Sequence, residues 1–242
     1  MVYQSVFKRY EIKFLLNKAQ REAILAAMEH YTTPDRYGVT DICNLYYDTE
    51  NYRMVRKSIE KPTYKEKLRL RSYGSAPDGS TIFVELKKKY NGVVYKRRLS
   101  VPEETAKCWL SGGAAPADTQ IAREISYVRD FYGDLRPRMY VSYRRTAYFG
   151  KDDKDLRITF DTDILCRQEN LTLASQPGGT PVLDPAMTLM EVKTPGAIPL
   201  WLTKILSDNG VYKTSFSKYG NAYMIYLKGA LAYDGISVSR NL

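Results

Sequence analysis

The chain has 242 residues, 44% of them hydrophobic, enough for one large domain or two small ones with a real core. Its cysteines, Cys43, Cys108 and Cys166, include no CxxC pair and are too few for a disulfide framework, and its single histidine, His30, leaves no imidazole-based triad or zinc site. The formal charge of +10, from 37 Lys and Arg against 27 Asp and Glu, favours anionic partners such as nucleic acid, acidic headgroups, nucleotides or phosphate polymers. What that charge means depends on whether it is spread over the outside or gathered into a cavity. With neither a signal-like N-terminus nor about 18 apolar residues in a row, the chain is expected to be soluble and cytoplasmic, with no membrane span.

Residues 6–16, VFKRYEIKFLL, predict a strand with Arg9, Glu11 and Lys13 on one face and Tyr10, Ile12 and Phe14 on the other. Asn17 is an N-cap ahead of KAQREAILAAMEHY, where Ala23, Ile24, Ala27 and Met28 recur at helical spacing and His30 is a surface residue at the helix end. DICNLYYDT is the next strand, and NYRMVRKS reads as a short polar segment. KEKLRLRSY then places Lys65, Lys67, Arg69 and Arg71 on one face. A turn at SAPDGS, through Pro77, Asp78 and Gly79, leads into TIFVELKKKY, which sets Glu85, Lys87 and Lys89 opposite Ile82, Val84 and Leu86. Asn91-Gly92 closes a hairpin into VVYKRRLSV.

PEETAKCWL and IAREISYVRDFYG predict helices separated by SGGAAPADT. Strands return with RPRMYVSYRRTAYFG, LRITFDTDILCR and TLMEVKTPG, with KDDKD as a turn and TLASQPGGTP as a long loop. PLWLTKILSDNG is an amphipathic helix stopped by Gly210, and SKYGNAYMIYLKGAL predicts the last one. Roughly eight strands with a few helices outside them predict a mainly antiparallel α+β domain, with strands enough to close a barrel.

The strands carry charge on one face and apolar residues on the other. An open sheet packed on helices gives the same alternation. So many Arg and Lys beside so few partners argue for a bound anion, because buried cations need neutralising. Carboxylates in the same rows suit a hard divalent ion, Mg²⁺ or Mn²⁺, which takes one or two of them plus phosphate oxygens and water. Glu191 and Glu85 are the first candidates, with Glu11 and Asp161 behind them; each is equally able to be a salt-bridge partner of a neighbouring lysine. There is no Walker loop and no kinase-like GxGxxG before a catalytic Asp, so strand-borne cations must position any phosphoryl group.

RYEIKF, LYYDT, LRLRSYG, IFVELKKK, YKRR, YRRTAYF, LRITFDTD, EVKTPG and SKYGNAY, in that order, resemble the VTC domain, the catalytic domain of polyphosphate polymerases in the triphosphate tunnel metalloenzyme (CYTH-like) superfamily. The resemblance covers about residues 6–227. It implies an eight-stranded antiparallel β-barrel, or tunnel, with peripheral helices. It also implies binding of ATP and a divalent metal, and transfer of the γ-phosphate to inorganic polyphosphate with release of ADP. Carried over by position, it implies Lys13, Arg69, Arg71, Lys87, Arg145 and Lys218 as catalytic cations, Lys96, Arg98, Arg157 and Lys193 as phosphate or nucleotide ligands, and Glu191, with Glu85 and Glu11, at the metal. Arg144 replaces Arg145 if the strand parity is off by one, and Lys213 is a further candidate. Hydrolytic relatives begin with ExExK, whereas here Arg9 precedes Glu11 and Lys13, a departure that favours polymerase over triphosphatase without closing the matter. Residues 1–242 are read as one free-standing, bacterial VTC-type domain without the phosphate-sensing SPX domain and membrane spans of eukaryotic relatives, and with room for an unidentified protein partner.

Two other readings stand beside this one. The first is a tunnel triphosphatase acting on tripolyphosphate, a nucleotide or an RNA 5′ end. The second is a nucleic-acid-binding module that stacks bases on some of the 21 tyrosines. Carboxylates among the cations argue against a surface that tracks a nucleic-acid backbone, and Tyr46, Tyr47, Tyr140 and Tyr143 read as strand-packing residues.

Overall fold

The structure, a computed structural model, describes residues 6–233. Its strands are β1 (Val6–Leu16), β2 (Thr32–Pro34), β3 (Thr40–Asp48), β4 (Tyr64–Tyr73), β5 (Thr81–Tyr90), β6 (Val93–Pro102), β7 (Arg136–Gly150), β8 (Arg157–Arg167), β9 (Thr180–Pro181), β10 (Thr188–Thr194) and β11 (Lys213–Thr214). The helices are α1 (Lys18–Met28), α2 (Arg53–Ile59), α3 (Glu103–Leu110), α4 (Gln120–Tyr132), α5 (Leu200–Asp208) and α6 (Lys218–Tyr233).

Eight strands follow one another around a ring, β7-β3-β4-β5-β6-β1-β10-β8, and β8 pairs back onto β7. Every pairing in the ring is antiparallel. The Asn91-Gly92 turn has φ of 46° and 83°, the doubly left-handed backbone that a two-residue hairpin requires. It sets the register Lys87 to Lys96 and Glu85 to Arg98. From there the period of two sends Lys87, Lys96 and Arg98 to the inside of the ring. Lys88 and Arg97 go to the outside, where both bond Glu124 of α4.

The apolar outer face needs covering, and the helices cover it in two groups. Trp109 and Leu110 of α3, with Ala122, Ile125 and Val128 of α4, pack on Leu68, Leu70, Val84 and Leu86. Ile24 and Met28 of α1, with Leu202 and Leu206 of α5, pack on Phe14, Leu16, Ile158, Phe160, Met190 and Val192. A capping box at α1, in which Asn17 accepts from the Gln20 amide and Gln20 accepts from the Asn17 amide, starts that helix at the predicted residue.

Two helices depart from the sequence expectation. NYRMVRKS is not merely a polar segment but contains α2, whose first residues have their N–H groups capped from outside: Asp48 at the end of β3 accepts from Met54 and Val55. Nor is α6 peripheral. Tyr219, Ala222 and Tyr223, with Phe216 just before the helix, pack on Ile42, Tyr46, Met139, Tyr143 and Leu189, side chains on the inward faces of the ring. The lumen is thus divided, one part filled with apolar side chains and the rest lined with charge.

Candidate active site

The charged part of the lumen is a cavity of about 650 Å³. Fifteen Lys and Arg side chains line it, against Glu11, Glu66 and Glu191, and Glu85 and Asp161 lie buried beneath those cations. Fifteen cations less five carboxylates leaves ten, the entire formal excess of the chain, so the basic and acidic residues elsewhere cancel. The net positive charge is thus concentrated at this cavity.

The carboxylates organise these cations into groups. Glu85, 1% exposed, accepts from Arg69 at 2.8 and 2.9 Å, from Arg98, and from Lys96 at 2.6 Å, with Arg71 at 3.6 Å. Tyr46 accepts a third bond from Arg69 at 2.9 Å, and Tyr143 accepts one from Arg71 at 3.0 Å, so both guanidinium planes are fixed. Across the ring, Asp161 takes both ends of Arg145 at 2.6 and 2.7 Å and Lys218 at 2.6 Å. Glu191 is held more loosely, by Lys193 at 2.9 Å, Lys218 at 3.2 Å, Arg145 at 3.4 Å and Lys13 at 3.5 Å. Glu11 pairs with Lys87 at 2.6 Å.

Burial alone would push these carboxyl groups toward the neutral form, but their neighbours reverse the effect. Arg71, Lys96, Arg69 and Arg98 hold Glu85 well below the usual carboxylate range, Lys193 and Lys218 do the same for Glu191, and Lys87 does so for Glu11. Burial also lowers the lysines. Lys193 falls to about 8 because desolvation outweighs Glu191, and Lys13 is lowered with it. Lys218 instead rises, since Asp161 and Glu191 together overcome its burial.

All ten cations singled out from the sequence line this one cavity. Arg157 stands toward its edge, 3.4 Å from Asp35. Strand parity is resolved in favour of Arg145: Arg144 is 57% exposed and faces Asp41 and Asp163 outside the ring. Lys213 also lines the cavity. Arg9 lies in β1, but its side chain falls outside the described residues. Tyr46, Tyr47, Tyr140 and Tyr143 are all buried, which removes them as base-stacking platforms.

Sequence reasoning did not put Asp161 with Arg145 and Lys218, because that grouping depends on how the ring closes. Lys67 was on the predicted basic face without a role; it lines the cavity and bonds the Ser217 hydroxyl at 2.8 Å. Glu85, a metal candidate from the sequence, sits among cations. Both of its oxygens are taken up by short bonds to cations, so it orients Arg69, Lys96 and Arg98.

Among the described residues no group of three or more His, Cys, Asp or Glu forms a metal cage. Glu11 and Glu191 sit diagonally across the β1–β10 pairing, where Glu11 faces Lys193 and Lys13 faces Glu191. They are near enough that the Glu191 charge opposes ionisation of Glu11. Two such carboxylates fit a Mg²⁺ or Mn²⁺ ion that draws its other ligands from phosphate and water.

The VTC domain family model matches residues 8–227. The chain belongs to the VTC domain family. Subunit 2 of the vacuolar transporter chaperone complex of Saccharomyces cerevisiae is 26% identical to it over 154 residues, 53% of this chain and 19% of the yeast protein. Subunit 4 from Schizosaccharomyces pombe is 27% identical over 152 residues, 53% of this chain and 21% of that protein. The VTC domain chain thus spans about a fifth of the length of these curated relatives. A solved structure from Bacillus halodurans, described as adenylate-cyclase-like, superposes with a TM-score of 0.54 at 13% identity, over 88% of this chain and 96% of that one. This likeness is one of fold alone. No described helix is long and apolar enough to cross a membrane.

Proposed function

We propose that this VTC domain is a metal-dependent polyphosphate polymerase that transfers the γ-phosphate of ATP to inorganic polyphosphate and releases ADP. The observation that carries the reading is the location of the charge: the cations lining the cavity outnumber the carboxylates lining it or buried beneath it by ten, equal to the formal excess of the chain. A narrow cavity with that balance calls for a polyanion running through it, since unneutralised cations in a confined space are costly. Membership of the VTC family points to the same substrate class.

The two cation groups divide the work. Arg69, Arg71, Lys96 and Arg98, fixed around Glu85, present donors with little freedom left to lose when phosphate oxygens arrive. Lys13, Lys193, Lys218 and Arg145 share the looser Glu191, and their bonds of 2.9–3.5 Å exchange readily onto a phosphoryl group. Lys87 bridges toward Glu11 between the two groups. Glu191 and Glu11 would hold a divalent ion, which would supply charge neutralisation at the phosphoryl group. The acceptor is a terminal phosphate, already ionised at neutral pH, so the chain needs no general base for elongation. Arg145 is clamped at both ends by Asp161 and presents its remaining edge as a fixed positive charge where charge develops in transfer. The named relatives are subunits of a complex, and a protein partner for this chain is part of the reading.

The test is incubation of the purified chain with ATP and Mn²⁺, following polymer, ADP and orthophosphate separately. A polyphosphate ladder with matching ADP is the expected result. Orthophosphate without polymer makes the chain a triphosphatase, and no turnover refutes both.

A further inference from the structure

Lys67 lines the cavity with its amine against a hydroxyl. It forms no ion pair among the described residues, and its amine bonds a hydroxyl, Ser217 Oγ, at 2.8 Å. Burial lowers its pKa well below the ordinary lysine range, and the positive charges of Lys13, Lys87, Lys65 and Arg69 lower it further, which favours the free amine. Ser217 is just as specifically placed. It precedes α6, accepts from the Gly220 amide at 3.0 Å, and its carbonyl accepts from Asn221 at 2.7 Å. Gly220 permits this tight turn, since a Cβ there lies 3.0 Å from Ser217 Oγ. The hydroxyl is flanked in sequence by the Phe216 carbonyl, which accepts from Lys13 at 2.5 Å, and by Lys218, which reaches Asp161 and Glu191. A nucleophile and an amine within hydrogen-bond reach, at the wall of a phosphate-attracting cavity, form an activated pair.

We propose that Ser217, with Lys67 as its base, takes a phosphoryl group from a nucleoside triphosphate, so that the protein phosphorylates itself inside its own tunnel. Ser217 Oγ attacks the γ-phosphorus, the bond from that phosphorus to the bridging oxygen of the β-phosphate breaks, and the nucleoside diphosphate leaves with the electron pair. The hydroxyl proton passes to the Lys67 amine, which becomes an ammonium beside the new phosphoserine. Its phosphate is then held by the start of α6, where unpaired amides and the helix dipole favour negative charge, and by Lys67 itself. The phosphoserine is an ionised acceptor at the place where elongation needs one, a covalent first unit for a chain. The inference rests on the proposed entry of a triphosphate into this cavity.

The experiment uses the full chain with ATP and Mn²⁺, acid-quenched from the first turnover to completion, with phosphate on the protein mapped by mass spectrometry and soluble polymer measured in the same samples. The expected result is an acid-stable phosphate on Ser217. Ser217→Asn keeps a good helix cap but has no hydroxyl, and it loses the label while melting like the parent. Ser217→Thr keeps the label. Lys67→Met slows labelling by about a hundredfold or more, the usual worth of a general base. Polymer and ADP without protein-bound phosphate overturn the self-phosphorylation and leave the polymerase reading intact. An acid-labile phosphate on a lysine overturns Ser217 as the nucleophile. Neither label nor ADP overturns both.

Discussion

Replacing Glu85 by Gln tests whether the tunnel's cations are held by an internal counter-charge. The carboxylate is 1% exposed and compensates four cations, Arg71 buried and the others half-buried, three of the four within 3 Å. Gln keeps the shape and one acceptor but removes the charge, leaving Arg69, Lys96 and Arg98 to repel one another. Breaking a buried ion pair from one side costs ~3–5 kcal/mol. For a chain of this size each kcal/mol moves the melting temperature by ~2–4 °C, so Glu85→Gln should melt ~6–20 °C below the parent. The second half of the prediction is more specific. Tripolyphosphate supplies the missing negative charge, so the same saturating concentration should raise the melting temperature of the variant more than that of the parent. The assay is a thermal melt by circular dichroism with and without tripolyphosphate. A variant that melts within ~2 °C of the parent without ligand, or that gains no more from ligand than the parent does, refutes this account of Glu85.

Glu191→Gln should abolish metal-dependent turnover yet retain tripolyphosphate binding in the presence of a chelator, measured by calorimetry; turnover at the parental rate removes Glu191 from the site. Arg69→Ala and Arg71→Ala should each weaken tripolyphosphate binding by ~1.5–3 kcal/mol, the range for hydrogen bonds to charged groups, and unchanged affinity would mean that these side chains do not touch phosphate. Arg144→Ala, one residue from Arg145 and facing outward, should alter stability by no more than ~0.5 kcal/mol and leave turnover at the parental rate, whereas a large loss of activity would reverse the strand parity. Lys193 titrates near 8 in the free protein, so it sheds its proton as pH rises past that value, while a bound polyanion favours the protonated form. Affinity for tripolyphosphate should therefore fall between pH 7 and pH 9, with protons taken up on binding at pH 8; calorimetry in buffers of different ionisation enthalpy reads both, and release of protons contradicts the assignment.

Much of this molecule was legible in its residue order because strand periodicity is local. KEKLRLRSY and TIFVELKKKY alternate charge and apolar side chains, so which residues share a face follows from the period of two, and the Asn91-Gly92 turn fixes their register through its own backbone preference. The ends of α1 and α5 were legible for the same reason, since Asn17 and Gly210 act on their immediate neighbours. α2 was not legible: its cap is the carboxylate of Asp48, brought to Met54 and Val55 by the end of a strand and held by the Tyr219 hydroxyl from α6. No rule read along NYRMVRKS contains that contact.

The same division runs through the site. Each strand announces by itself that it carries cations on one face, but not whether that face looks at water or at other strands. Closure of the ring decides it, through the β7–β8 pairing of segments that are neighbours in sequence and the β1–β10 pairing of segments far apart. Closure alone brings Arg145, Asp161, Lys218, Glu191 and Lys13 within bonding distance, because they come from four strands and the start of α6. It also makes Glu85 the counter-charge of four cations, and sets Ser217 against Lys67 across 150 residues of chain. The sequence by itself determined which side chains are charged and which of them share a strand face, since those are properties of composition and backbone period. Only the tertiary structure decided which charges meet, because an ion pair exists at a few ångströms and the distances between strands are set by the whole ring.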